Sequence, residues 1–213
     1  SHNRTMNRRA FHLGTLAIAL GLTTPLPFQV LIESPAALAE VHAIAAHPRV
    51  QALCFGLMDY VSSFEGAIGA DALHGARQFE HPLLARALTD ISLAAHAHGK
   101  VAVHSVTLAI GDGTAAGEDA RRAARDFGYQ RKWSIHPRQV EPIIAAFQPP
   151  AQDVQRAGEI LLAAQAADWG PIRHADELHD RASYRYWWHV LQQAWRTGVP
   201  LPPDVQAAFF GDA

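Results

Sequence analysis

The chain has 213 residues, of which 49% are hydrophobic and 18% charged, and a formal net charge of −2. That length supports one sizeable core, while the near-neutral balance without a basic stripe argues against a nucleic-acid footprint. A single cysteine, Cys54, rules out an internal disulfide framework, and the sequence has no apolar run of about 18 residues to mark a membrane span.

In chain order, residues 1–8 read as a tag or loose end. Arg8-Arg9 followed by an apolar stretch has the look of a twin-arginine export signal. The stretch runs straight into the first strand, however, and cleavage after it would remove Glu33 or that strand. Residues 9–21 are therefore read as an amphipathic helix. Gln29 to Glu33 reads as a buried strand. Ser34 can cap a helix with Pro35 at its first position, and Ala36 to Ala46 continues it until His47-Pro48. The apolar run Ala52 to Met58, ending on Asp59, reads as a second strand, with Cys54 packed inside it. Residues 60–82 form a long, Gly-containing connection of the kind that carries function or short helices. Leu83 to His98 is helical, stopped by Gly99. Val101 to Val106 is a third strand, 110–114 a Gly-rich turn, and Ala115 to Phe127 a helix stopped by Gly128. Lys132 to His136 is a fourth strand closed by Pro137. A short helix over 138–147 precedes Pro149-Pro150, and helices follow over 151–168 and 181–196, joined by a polar connector.

Strand runs without polar alternation indicate a sheet covered on both faces, and strands separated by helices indicate parallel αβ architecture. Four such units are half of an eight-stranded barrel. The expected division is 9–150 for the β/α portion and 151–213 for a helical extension. The sequence has no Gly-x-Gly-x-x-Gly and no phosphate-binding Gly-Lys-Ser/Thr loop. In a parallel sheet Glu33 and Asp59 would emerge at one rim, where two anions repel unless a hard cation lies between them. The alternative is that each acid merely caps the helix after it.

Leu31-Ile-Glu33, Phe55-Gly-Leu-Met-Asp-Tyr60, Lys132-Trp-Ser-Ile-His-Pro-Arg-Gln139, the Ala-rich helix over 151–168 and Asp180-Arg181 together resemble the citrate lyase β-subunit-like family, which includes malyl-CoA lyases and related 2-oxo-acid aldolases. The resemblance implies a TIM (β/α)8 barrel of which this chain supplies about the last four β/α units. The first four strands, which in the family carry a substrate-gripping arginine, have no counterpart here, and an uncovered half-barrel would expose a sheet edge. It implies Mg²⁺, or Mn²⁺, on Glu33 and Asp59, a short hydroxy or oxo acid or its CoA thioester as substrate, and a cytoplasmic homo-oligomer. Gly56 would let the backbone approach substrate, with the Leu57 and Met58 amides meeting its carboxylate; a plain strand bulge is the alternative. Asp180 would act as acid or base, in trans from a neighbouring subunit, or else simply cap helix 181–196; Asp176 is a weaker candidate.

His104 ends the third strand and is expected at the same rim, whereas His136 is expected to form a hydrogen-bonded turn. The aromatic-rich last helix, with Tyr184, Tyr186, Trp187, Trp188 and Trp195, suggests a subunit interface. The function expected is a divalent-metal-dependent carbon–carbon lyase. A non-catalytic half-barrel assembly or regulatory subunit, and an exported binding protein, are the alternatives.

Overall fold

Four short parallel strands carry the amino-terminal unit. The computed structural model describes residues 26–111 and 113–211; the expected helix over 9–21 and the Arg8-Arg9 pair lie outside the described residues. Strands β1 (Phe28–Ile32), β2 (Val50–Phe55), β3 (Val101–His104) and β4 (Arg131–Lys132) lie side by side in sequence order. Each neighbouring pair is parallel, with Ile32 opposite Phe55, Cys54 opposite Val103 and His104 opposite Lys132. All four strands therefore end at one rim.

The burial pattern explains the sequence pattern. In β2 every residue except Gln51 is buried. Successive side chains point to opposite faces, so Leu53 and Phe55 enter the main core while Ala52 and Cys54 join Val103 in a separate cluster. Burial on both faces is what an unalternated apolar run requires. Strand β1 instead alternates, leaving Gln29 and Leu31 exposed.

After β1 the expected helix is broken into α1 (Pro35–Ala39) and α2 (Val41–Ala45). Ser34 caps α1 by accepting the Ala37 N–H at 3.1 Å. Next come α3 (Leu57–Ser62), a 3₁₀ turn over Ala70–Leu73, α4 (Arg77–Glu80) and α5 (Pro82–Ala97). The long connection is thus mostly short helices. Helix α5 buries Leu84, Ala87, Leu88, Ile91, Ala94 and Ala95, a stripe at helical spacing laid against the sheet. Helix α6 (Thr114–Phe127) begins and ends on left-handed glycines, Gly113 at φ 83° and Gly128 at φ 72°, a conformation that favours residues without a Cβ. A Cβ on Gly113 would also collide with the Arg138 carbonyl oxygen.

Three strand expectations need correction, the simplest being that the third strand ends at His104 and not at Val106. The second strand stops at Phe55, so Leu57, Met58 and Asp59 belong to α3. Within the apolar run, Leu57, Tyr60 and Val61 are buried while Met58 and Asp59 are exposed, which is helical periodicity, not strand alternation. The fourth strand has only Arg131 and Lys132. The chain then leaves the sheet for a 3₁₀ turn over Pro137–Gln139 and helix α7 (Val140–Phe147).

The chain divides into two compact units between Phe147 and Gln148. In the second, α8 (Ala151–Ala166) and α9 (Arg181–Thr197) build a core from Val154, Ile160, Leu161, Val190 and Leu191. The polar connector forms an antiparallel hairpin, β5 (Ile172–His174) with β6 (Glu177–His179). A further helix, α10 (Pro203–Phe209), was not foreseen. It lies close to α8, since a Cβ on Gly158 would come within 2.5 Å of Val205 Cγ2. The residue after α10, Phe210, stacks on Trp188 and Trp195 with centroids 5.4 and 5.2 Å apart. Part of the aromatic surplus of α9 is thus used within its own unit, while Tyr186 stays 58% exposed. Among the described residues no helix is long and apolar enough to cross a membrane.

Candidate metal-binding rim

Glu33 directly follows β1 and Gly56 directly follows β2. Gly56 N–H donates to the Ile32 carbonyl at 3.0 Å, extending the ladder by one bond beyond the strands. The two strand ends are so close here that a Cβ on residue 56 would lie 2.6 Å from Glu33 Cβ and 3.2 Å from Glu33 Oε2. Gly56 is therefore the gap into which the Glu33 side chain leans, and its φ of −91° demands no special backbone freedom. Asp59 stands three residues later, in the first turn of α3. Glu33 and Asp59 are both exposed, so their oxygens are open to solvent. The donor set is two hard carboxylates and no sulfur or imidazole. That suits Mg²⁺, which keeps several waters and takes one or two protein carboxylates. Among the described residues no group of three or more His, Cys, Asp or Glu side chains gathers to hold a metal, so any ion here would draw its other ligands from water or substrate.

The backbone amides behave differently from expectation. Leu57 is buried and its N–H donates to Ser105 Oγ at 3.3 Å. That amide is already engaged and is not free to meet a carboxylate. Met58 is 46% exposed, and as a first-turn residue of α3 its N–H has no partner within the helix.

His104 also departs from expectation. It ends β3 as expected, but its side chain is 1% exposed and turned into the core, stacked on Phe79 at 5.3 Å and edge-on to Tyr129 at 5.5 Å. Burial first, and the neighbouring Lys132 charge second, hold its pKa well below the usual imidazole value. The ring is neutral and serves the core. His136 is the turn former expected: its Nδ1 accepts the Arg138 N–H at 3.2 Å.

Behind the rim lies a buried polar layer that sequence reasoning missed. Lys132 Nζ donates to the Ser105 carbonyl at 2.5 Å and meets His104 Nδ1 at 3.1 Å. Burial pushes the Lys132 pKa down to about 8, against the opposing pull of the Asp119 carboxylate. Thr107 donates to Asp119 Oδ2 at 2.5 Å. Gln139, fully buried, donates to the Thr107 and Ala109 carbonyls at 2.8 and 2.9 Å and accepts the Ile135 N–H at 3.1 Å. It thus ties the loop after β3 to the turn after β4, which gives the Ile-His-Pro-x-Gln segment a physical reason. A lysine opening an apolar strand was the available signal for this layer.

Asp180 lies in the second unit as the N-cap of α9. Its Oδ1 accepts the Ala182 N–H at 2.9 Å, and Ser183 Oγ accepts the Asp180 N–H at 3.1 Å. The capping alternative is therefore realised. Asp176 is exposed and paired with Arg173 at 2.5 Å.

The profile of the HpcH/HpaI aldolase/citrate lyase family matches residues 15–137. An L-malyl-CoA/beta-methylmalyl-CoA lyase of Cereibacter sphaeroides is 34% identical over 188 residues, covering 83% of this chain and 59% of the relative. A crystal structure of a citrate lyase from Burkholderia xenovorans LB400 superposes with a TM-score of 0.86 at 48% identity, over 96% of this chain and 64% of the other. A citrate lyase beta subunit from M. tuberculosis, complexed with oxaloacetate and magnesium, superposes with a TM-score of 0.53 at 26% identity, over 66% and 57% of the two chains. The chain thus spans about three fifths of the length of these proteins. The profile match covers more than half of the sequence, and the α/β fold agrees with it: the chain belongs to the HpcH/HpaI aldolase/citrate lyase family.

Proposed function

We propose that this chain supplies the metal-binding rim of a divalent-metal-dependent carbon–carbon lyase acting on a short hydroxy acid or its CoA thioester. The observation that carries the reading is the close approach at Gly56, which sets the Glu33 carboxylate beside the end of β2, three residues before Asp59. Support also comes from the oxaloacetate and magnesium bound to the M. tuberculosis relative and from the malyl-CoA activity named for the Cereibacter protein. Four parallel strands in sequence order are what the last four strands of a closed barrel would contribute.

In this reading Glu33 and Asp59 hold Mg²⁺ or Mn²⁺ by one carboxylate each. When bound, the ion supplies Lewis-acid polarisation of a substrate oxygen that gains charge as the carbon–carbon bond breaks or forms. The Met58 N–H orients a substrate carboxylate, and Gly56 keeps the approach to it clear. Leu57, whose amide is committed to Ser105, shapes the turn without touching substrate. Proton transfer falls to Asp180, acting on the site of a neighbouring copy in a homo-oligomer.

Isothermal calorimetry of Mg²⁺ against the wild-type chain and Asp59→Asn tests the metal site. Removing one of two anionic ligands is expected to weaken binding at least tenfold. Equally weak binding in both proteins would overturn the reading.

A further inference from the structure

Asp59 stands in a helix of six residues, too short to hold its own direction without outside contacts. Its neighbours in the turn divide sharply: Met58 faces solvent, whereas Leu57 is 2% exposed and fastens the turn to the rest of the unit. The polar part of that fastening is the Leu57 N–H to Ser105 Oγ bond, which spans 48 residues of sequence and joins α3 to the residue after β3. Ser105 is itself 4% exposed, so water does not compete freely for this bond.

Ser105 is in turn gripped through its carbonyl by Lys132 at 2.5 Å. A buried ammonium is costly unless it is hydrogen-bonded. The two partners named here, the His104 ring nitrogen and the Ser105 carbonyl, belong to the last residue of β3 and the residue after it. An ammonium can only donate, so His104 Nδ1 must accept and the ring proton resides on Nε2. The Lys132 charge therefore pulls on one short stretch of backbone. Asp119, held by Thr107, supplies the opposing charge.

We propose that Lys132 and Ser105 are positioning residues for Asp59: Lys132 fixes the Ser105 peptide, Ser105 fixes the Leu57 amide, and the first turn of α3 then presents the carboxylate to the cation in one geometry. The proposal rests on the metal-binding reading of Glu33 and Asp59. It adds that the third and fourth strands govern metal affinity although they contribute no ligand. Groups hydrogen-bonded directly to metal ligands typically change metal affinity by about 10- to 100-fold when removed, and Ser105, which acts through the Leu57 amide, belongs at the low end of that range.

The test uses the full chain and Mn²⁺ alone, with free ion measured by electron paramagnetic resonance, alongside amide exchange of a peptide covering Leu57. Ser105→Ala is expected to weaken Mn²⁺ binding about tenfold and to speed exchange at Leu57, while the circular dichroism spectrum stays that of wild type. Ser105→Thr, which keeps an acceptor oxygen, is expected to recover most of the affinity. Lys132→Met provides a second variant acting one step further back, with the same direction of change. Wild-type Mn²⁺ affinity in Ser105→Ala, or in a folded Lys132→Met, would overturn the relay while leaving the metal site standing. Failure of the unaltered chain to bind Mn²⁺ would instead overturn the metal site, and the relay with it.

Discussion

Replacing Gly56 by Ala tests the geometry of the rim directly. The added Cβ would lie 2.6 Å from Glu33 Cβ and 3.5 Å from Glu33 Cα. Carbon atoms in contact prefer about 3.5–4.0 Å, so the first distance is roughly 1 Å too short. The clash cannot be relieved by swinging a flexible tip away, because Cβ is one bond from the backbone. That backbone directly follows β1, whose Ile32 carbonyl accepts the Gly56 N–H. Strand ends must part, or the bond must stretch. Overpacking of this kind costs about 1–3 kcal/mol. Since φ at Gly56 is −91°, alanine meets no left-handed strain and narrows the unfolded ensemble, an offset of about 0.4–1 kcal/mol. The net expectation is a loss of about 1–2 kcal/mol. Urea denaturation followed by amide exchange in peptides from β2 and α5 measures it within the affected unit. Unchanged or increased stability would show that Glu33 does not lean over Gly56, and the shared rim would lose its main support.

Lys132 predicts an alkaline stability profile. Its pKa is lowered from 10.5 to about 8 in the folded chain, so between these values the unfolded state binds more protons and stability rises with pH by on the order of 3 kcal/mol, a rise that Lys132→Met should abolish in denaturation experiments across pH 8–10. Asp180 separates capping from chemistry: Asn caps as well as Asp while Ala costs about 1 kcal/mol, so Asp180→Asn should keep wild-type thermal stability and Asp180→Ala should not. Loss of the proposed lyase turnover in Asp180→Asn would then support the proposed acid–base role; full turnover would leave the residue as a cap alone.

Local patterns carried the sequence reading where local physics decides structure. The apolar runs at Gln29–Glu33 and Ala52–Met58 each locate a strand, though the second overruns its end at Phe55, and the glycine stops at Gly99 and Gly128 and the Ser34-Pro35 start correspond to observed element ends. The errors came where one pattern ran into another. Leu57 and Met58 continue the apolar run of β2 without a break, and only the later spacing of Leu57, Tyr60 and Val61 reveals a helix. At the fourth strand, Trp133 and Ile135 remain 40% and 50% exposed. A strand-like composition there is overridden by the His136 cap and Gln139, which draw the chain into a turn.

The buried layer was illegible for a different reason. Lys132, Ser105, Asp119 and Gln139 are ordinary surface residue types, and nothing local announces that each is withdrawn from water. Their partners lie between 12 and 32 residues away in Thr107–Asp119, Lys132–His104 and Gln139–Thr107, so only the fold brings them together. Moving Asp59 from a strand tip into a helix turn also changes what the site depends on. A residue at a strand end is fixed by the ladders beside it, here those to β1 and β3. A residue in the first turn of α3 is fixed by whatever holds that turn, and the Leu57 amide is held from β3. The carboxylate pair therefore draws its geometry from β1 through the Gly56 contact and from β3 through Ser105. The Leu57 N–H that Ser105 holds belongs to the peptide joining Gly56 to Leu57, so Gly56→Ala and Ser105→Ala disturb one peptide and their effects on metal affinity should be non-additive in the double variant.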